Sequence, residues 1–125
     1  MEDGDGMDVE EKIREELVDV LVAIYGRVDW KKMKRSISTD VFSHKLKASG
    51  TMPTIERVLE KLSYGLGVQS VFFDPEKMGF LKKHEKKVLK MIREETVYLT
   101  LLTYNKNKKL KEERKKKKKK EVKEE

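Results

Sequence analysis

Lys82, Lys86, Lys90 and Arg93 recur at four, four and three residues, and Lys83 and Lys87 widen the same side. At helical periodicity these cations share one face. Opposite them lies an arc of Leu81, Val88 and Ile92, flanked by Leu89 and Met91. Glu85 alone interrupts the cations, and it sits toward the apolar arc. Like charges four apart on a helix repel. A solvated face normally interleaves Glu with Lys, so a face that keeps this repulsion suits an anionic partner. Each phosphate it neutralised would contribute through counterion release.

A second basic group surrounds the single tryptophan: Arg27, Trp30, Lys31, Lys32, Lys34 and Arg35, followed by Lys45 and Lys47. An aromatic among cations suits a phosphate backbone with a stacked base. A lone tryptophan in a small domain is also a common core anchor. The third group is the end of the chain, with six consecutive lysines from Lys115 to Lys120. It reads as a nucleic-acid arm, an import-like patch or a solubilising end. Lysines contact phosphates as point charges and do not read base sequence.

No residues point to catalysis. His44 and His84 are far apart in sequence, and neither has a metal-ligand partner four residues on. Gly65-Leu66-Gly67 lacks the third glycine and the preceding strand of a dinucleotide loop. The acids near the N-terminus form no calcium loop. There is no cysteine, which excludes disulfides, thiolate nucleophiles and cysteine-based metal sites. The chain therefore reads as a non-enzyme, without metal or cofactor.

The elements that must position these cations follow from period and punctuation. Residues 1–7 read as a disordered N-terminus, 8–104 as one helical domain and 105–125 as a basic tail. Asp8 caps a first helix whose apolar face is Val9, Ile13, Leu17, Val20, Leu21 and Ile24, with Gly26 as its stop. Asp29 can cap a short helix over 30–35. Ser38, Thr39 or Asp40 can cap the next, with Val41, Phe42 and Leu46 inward and Gly50 at its end. Thr51 and Pro53 signal a restart, with Pro53 in the first turn of a helix reaching about Tyr64. Residues 68–73 are β-branched and aromatic and read as a short strand or a buried connection. Asp74-Pro75 reads as a cap and first helical position, with a long helix following from about Glu76 or Leu81. Residues 96–104 have strand propensity, yet also continue the series Val88, Ile92, Leu99 and Leu102 as a buried helix. The expected fold is all-α, four to five helices, with helix favoured for 96–104 over a two-stranded β element pairing 68–73 with 96–104. Only Leu110 and Val122 are aliphatic after residue 104, so the tail is expected to extend the helix by a turn or two and then fray.

Of the 125 residues, 42% are charged and 37% hydrophobic. The formal charge of +7 equals that of residues 105–125 alone, so the body is neutral overall. Its signs are separated: residues 1–19 hold nine acids and two bases, whereas 27–47 and 77–93 are strongly basic. This Lys/Glu-rich surface, with one glutamine and two asparagines, resembles that of hyperthermophile proteins, and also that of coiled-coil-like mesophile chains. The N-terminus lacks the basic region of a signal peptide, and no apolar run approaches the ~20 residues of a membrane span. A cytoplasmic location is expected.

The layout of residues 8–104 resembles the small subunit of an archaeal type I-A CRISPR RNA-guided surveillance (Cascade) complex. The resemblance rests on an acidic-fronted first helix, the basic stretch Arg27 to Lys47, the helix Pro53 to Tyr64, and a basic helix before Thr96 to Tyr104. It implies several copies lining a ribonucleoprotein filament and touching the nucleic-acid backbone. The expected partners are therefore single-stranded DNA or RNA, other subunits and further copies of the chain, with no membrane. The binding set is Arg27, Lys31, Lys32, Lys34, Arg35, Lys45, Lys47, Lys82, Lys83, Lys86, Lys87, Lys90 and Arg93. A protein-interaction scaffold, or a stand-alone DNA-binding protein of a thermophile, virus or plasmid, are the alternatives.

Overall fold

The computed structural model describes residues 8–28, 39–69 and 71–124, with side chains through Lys116 except at 39 and 40. All regular structure among them is α-helix. The helix expected over 30–35, its cap at Asp29 and the cap at Ser38 lie outside the described residues.

Helix α1 spans Val9–Tyr25. The Asp8 carboxylate accepts the Glu11 N–H at 2.7 Å, capping the first turn, where Glu10 and Glu11 also suit the helix dipole. Ile13, Leu17, Val20, Leu21 and Ile24 are buried as their spacing requires, whereas Val9 at the first position is 45% exposed. Helix α2, Thr39–Ser49, buries Phe42 and Leu46. It ends at Gly50, where a Cβ would lie 2.8 Å from Ile92 Cγ2. Only a glycine lets the two segments approach this closely.

Helix α3, Ile55–Gly65, begins two residues later than Pro53 suggests. Thr54 is the cap, its hydroxyl accepting the Arg57 N–H at 3.2 Å, so Pro53 sits outside the helix. Ile55, Val58, Leu59 and Leu62 form its buried face. The helix closes with Gly67 at φ +70°, where Gly67 N–H donates to Tyr64 and Val68 N–H to Ser63. This is a Schellman closure, and its left-handed residue favours glycine. Residues 68–73 form no strand over the positions described. Val68, Val71 and Phe73 pack on the core, while Phe72 is 78% exposed.

The long helix expected from about Glu76 or Leu81 is three helices. Helix α4 runs Pro75–Lys83, opened by Asp74 and Pro75 as the sequence signals. His84 and Glu95, at φ/ψ of −111°/31° and −118°/29°, separate α4 from α5 (Glu85–Glu94) and α5 from α6 (Thr96–Glu124). Leu81 of α4 and Val88 and Ile92 of α5 lie in one core across the first of these breaks. The first half of α6 packs along α1 and α2. Its β-branched residues fit a helix because Thr96, Thr100 and Thr103 donate their hydroxyls to the carbonyls of Ile92, Thr96 and Leu99. That satisfies the buried polar groups within the helix itself. This segment is only half buried: Leu99 faces the core, while Val97, Tyr98, Leu101 and Tyr104 are exposed.

The tail also departs from expectation. The backbone of α6 stays helical to Glu124 rather than fraying after one or two turns. The segment is rich in Lys, Glu and Arg, all good helix formers. Pairs four apart, such as Lys108 with Glu112, Lys109 with Glu113 and Glu112 with Lys116, supply local support without burial.

Candidate nucleic-acid interface

Helix α5 carries the clearest basic surface. Val88, Leu89, Met91 and Ile92 are buried beneath it, so Lys86, Lys87, Lys90 and Arg93 are directed outward. Glu85, the one acid in the run, is turned inward. Its carboxylate accepts the Ile55 N–H at 2.9 Å, serving as a second cap for α3, so that Glu94 at the end of α5 is the one acid left exposed among these cations. Arg93 is partly committed to structure, with Nη1 3.5 Å from the Gly50 carbonyl at the end of α2.

The break at His84 divides the expected basic face. Lys82 and Lys83 belong to α4, and Lys82 pairs with Glu56 of α3 at 3.0 Å. Both are exposed, on the helix before the one that carries Lys86 and Lys90. Lys45 and Lys47 are exposed on α2, and Arg27 just beyond α1. Lys47 and Arg93 come together with His44, Val97, Tyr98 and Leu101 around an open cleft of about 690 Å³ between α2 and the α5–α6 junction. Trp30, Lys31, Lys32, Lys34 and Arg35 lie outside the described residues.

The acids of α1 are partly neutralised within the fold. Arg14 grips Glu95 through two hydrogen bonds, at 2.9 and 3.2 Å, which hold its guanidinium pKa above the ordinary value. Lys77 donates to Glu16 at 2.7 Å and to Asp19 at 3.0 Å, and these bonds raise its pKa. Lys106 also donates to Asp19. Burial alone would raise the Asp19 carboxyl, but the bonds from Lys106 and Lys77 outweigh it and hold the carboxyl below its ordinary range. Lys77, counted by sequence within a basic block, is thus an internal partner of α1. Asp8, Glu10, Glu11 and Glu15 remain exposed.

Sequence reasoning missed the second ordered basic element. Beyond Lys106 and the buried Asn107, α6 exposes Lys108, Lys109, Lys111, Arg114, Lys115 and Lys116, with only Leu110 half covered. The Lys–Glu spacing of four would have revealed it. Among the described residues, no group of three or more His, Asp or Glu side chains could hold a metal ion, and no helix is long and apolar enough to cross a membrane. No protein-family model, curated protein or solved structure matches this chain.

Proposed function

We propose that this chain is a non-catalytic nucleic-acid-binding protein that contacts the phosphate backbone and works as a subunit of a larger assembly. The observation that carries this reading is the α5 surface. Lys86, Lys87 and Lys90 are exposed together, Glu85 is turned away to cap another helix, and of the acids on α5 only Glu94 at its end stays exposed beside them. Such a row costs stability through like-charge repulsion and gains from a polyanion. The assembly half of the proposal is supported by the outward apolar face of α6, with Val97 65%, Tyr98 51% and Leu101 44% exposed. The narrower reading, a small subunit of an RNA-guided surveillance complex, is supported by the order of acidic and basic helices along the sequence.

The test is Lys86→Glu, Lys87→Glu and Lys90→Glu combined. These side chains point away from the core, so circular dichroism and the melting curve should stay native. Affinity for a labelled oligonucleotide should fall by about 100-fold or more, since three phosphate contacts become repulsions. The native protein's affinity should drop steeply as salt rises. A variant that binds normally, or a flat salt response, removes the proposal.

A further inference from the structure

The basic end of α6 is an ordered arm. One backbone helix runs from Thr96, within the body, to Glu124, with no proline or glycine to interrupt it. The stretch beyond Lys106 projects from the packed helices, since Lys108, Lys109 and every side chain described from Lys111 to Lys116 is exposed. Successive residues turn by about 100° around a helix, so the basic positions from 108 to 120 are spread around the arm's backbone rather than along one stripe. From Lys108 to Glu124 it is roughly 25 Å long at ~1.5 Å per residue, and ~10–12 Å wide with side chains.

Three anionic surfaces could receive such an element, and its chemistry separates them. A membrane interface requires an apolar face along the helix. The arm has only Leu110 and Val122 as aliphatic residues, twelve apart. A single strand is held by aromatic side chains on which bases stack. There is no aromatic residue after Tyr104. A duplex groove needs neither. It surrounds an inserted rod with phosphates on both walls, which suits cations on all sides. The major groove of B-form DNA is ~12 Å wide and admits an α-helix. The major groove of A-form RNA is deep and too narrow for side chains to read.

We propose that the C-terminal half of α6 lies in the major groove of duplex DNA, with the helical body held beside the backbone. This rests on the nucleic-acid reading above and narrows it. The arm has no asparagine or glutamine to pair with adenine, and its one arginine, Arg114, stands among lysines that meet phosphates as point charges, so the contact follows the groove with little selection of sequence.

The experiment compares two substitutions of equal charge in the full chain. Glu113→Gln and Glu113→Pro each remove one acid, but only proline breaks the helix, and position 113 lies outside the core. Affinity is measured by fluorescence anisotropy at ~0.15 M salt on a DNA duplex, an RNA duplex of the same sequence and the single strand. Glu113→Gln should bind duplex DNA at least as tightly as the native chain. Glu113→Pro should bind it about tenfold more weakly or worse, because the interior proline disrupts the rod. The native chain should prefer the DNA duplex to both other ligands by about tenfold. If the two variants bind alike, or the RNA duplex binds as well as the DNA, the groove contact is overturned while the backbone-binding reading stands. If no nucleic acid binds at all, both fall.

Discussion

Arg14 of α1 forms a bidentate pair with Glu95, the residue that separates α5 from α6, and its guanidinium lies 5.6 Å from the centre of the Tyr98 ring. One side chain therefore fixes the joint between two helices and the first turn of the second. The pair is about one-quarter to one-third exposed, at 24% and 31%. That places it between a surface pair and a buried one. Arg14→Met should cost about 1–2 kcal/mol, measured as a shift in the urea midpoint at unchanged slope. Glu95→Gln should cost much less when made in the Arg14→Met background, which a double-mutant cycle will read.

Asp19 provides an acid-sensitive clasp. Its carboxyl is held below the ordinary range in the fold, so the unfolded chain binds the proton more readily. The stability it supplies is complete above the unfolded carboxyl value near ~4 and is lost as pH falls through and below it. Asp19→Asn should lower stability at neutral pH by about 1–2 kcal/mol. It should also reduce the further loss seen on acidification. An unfolding series from neutral pH into the acid range, run on both proteins, checks the sign: an equal acid response in the two would contradict it.

The opposite limb belongs to Tyr25. It is 3% exposed, packs edge-on to Phe42 at 4.8 Å, and has Tyr104 at 6.1 Å. Burial, with the nearby Tyr104 phenol adding, pushes its phenol up to about 12. An unfolded tyrosine ionises near ~10, so folding loses up to about 2–3 kcal/mol as pH rises from ~10 to ~12. Lysines discharge over the same interval, and comparison with Tyr25→Phe separates the two effects. The variant's denaturation midpoint should fall less than the native one between about pH 8 and about pH 11.

Gly50 lies where α2 meets α5. A methyl group there would stand 2.8 Å from Ile92 Cγ2, closer than side chains tolerate. Gly50→Ala should destabilise by about 1–3 kcal/mol through overpacking. Leucine has no branch at Cβ, so the same change should cost less beside Ile92→Leu. Thermal melts of the four proteins will show whether the strain is relieved.

Much of the architecture could be read where local chemistry decides it. Asp8 and Asp74-Pro75 mark helix starts by supplying acceptors to N–H groups that have no other partner. Ile13, Leu17, Val20 and Ile24 mark a face by period alone. The breaks at His84 and Glu95 carry no glycine or proline, so no local signal in the sequence marks them. The hidden break at His84 puts Lys82 on a different helix from Lys86 and Lys90, whose shared face is legible from their spacing. Lys77 was misread for a different reason, since its partners Glu16 and Asp19 lie on α1, far away in sequence. Residues 96–104 were ambiguous because threonine and valine favour strands, and only the seat beside α1 and α2 resolves them. The arm was underestimated because burial was weighed and charge pairing along the helix was not.

The two ion pairs joining α1 to α6 have opposite polarity. At the upper contact α1 gives the cation, Arg14, and Glu95 at the head of α6 the anion. At the lower contact α1 gives the anion, Asp19, and α6 the cation, Lys106. Were α6 laid against α1 in the reverse direction, Arg14 would confront Lys106 and Asp19 would confront Glu95. Like charges would then meet at both ends. A slide of one turn, ~5.4 Å, would separate both pairs. The threonines that α6 buries bond to its own backbone and are indifferent to either error. The two clasps thus work as a keyed lock, in which the order of signs favours one heading and one register beside the seat that Leu99 takes in the core.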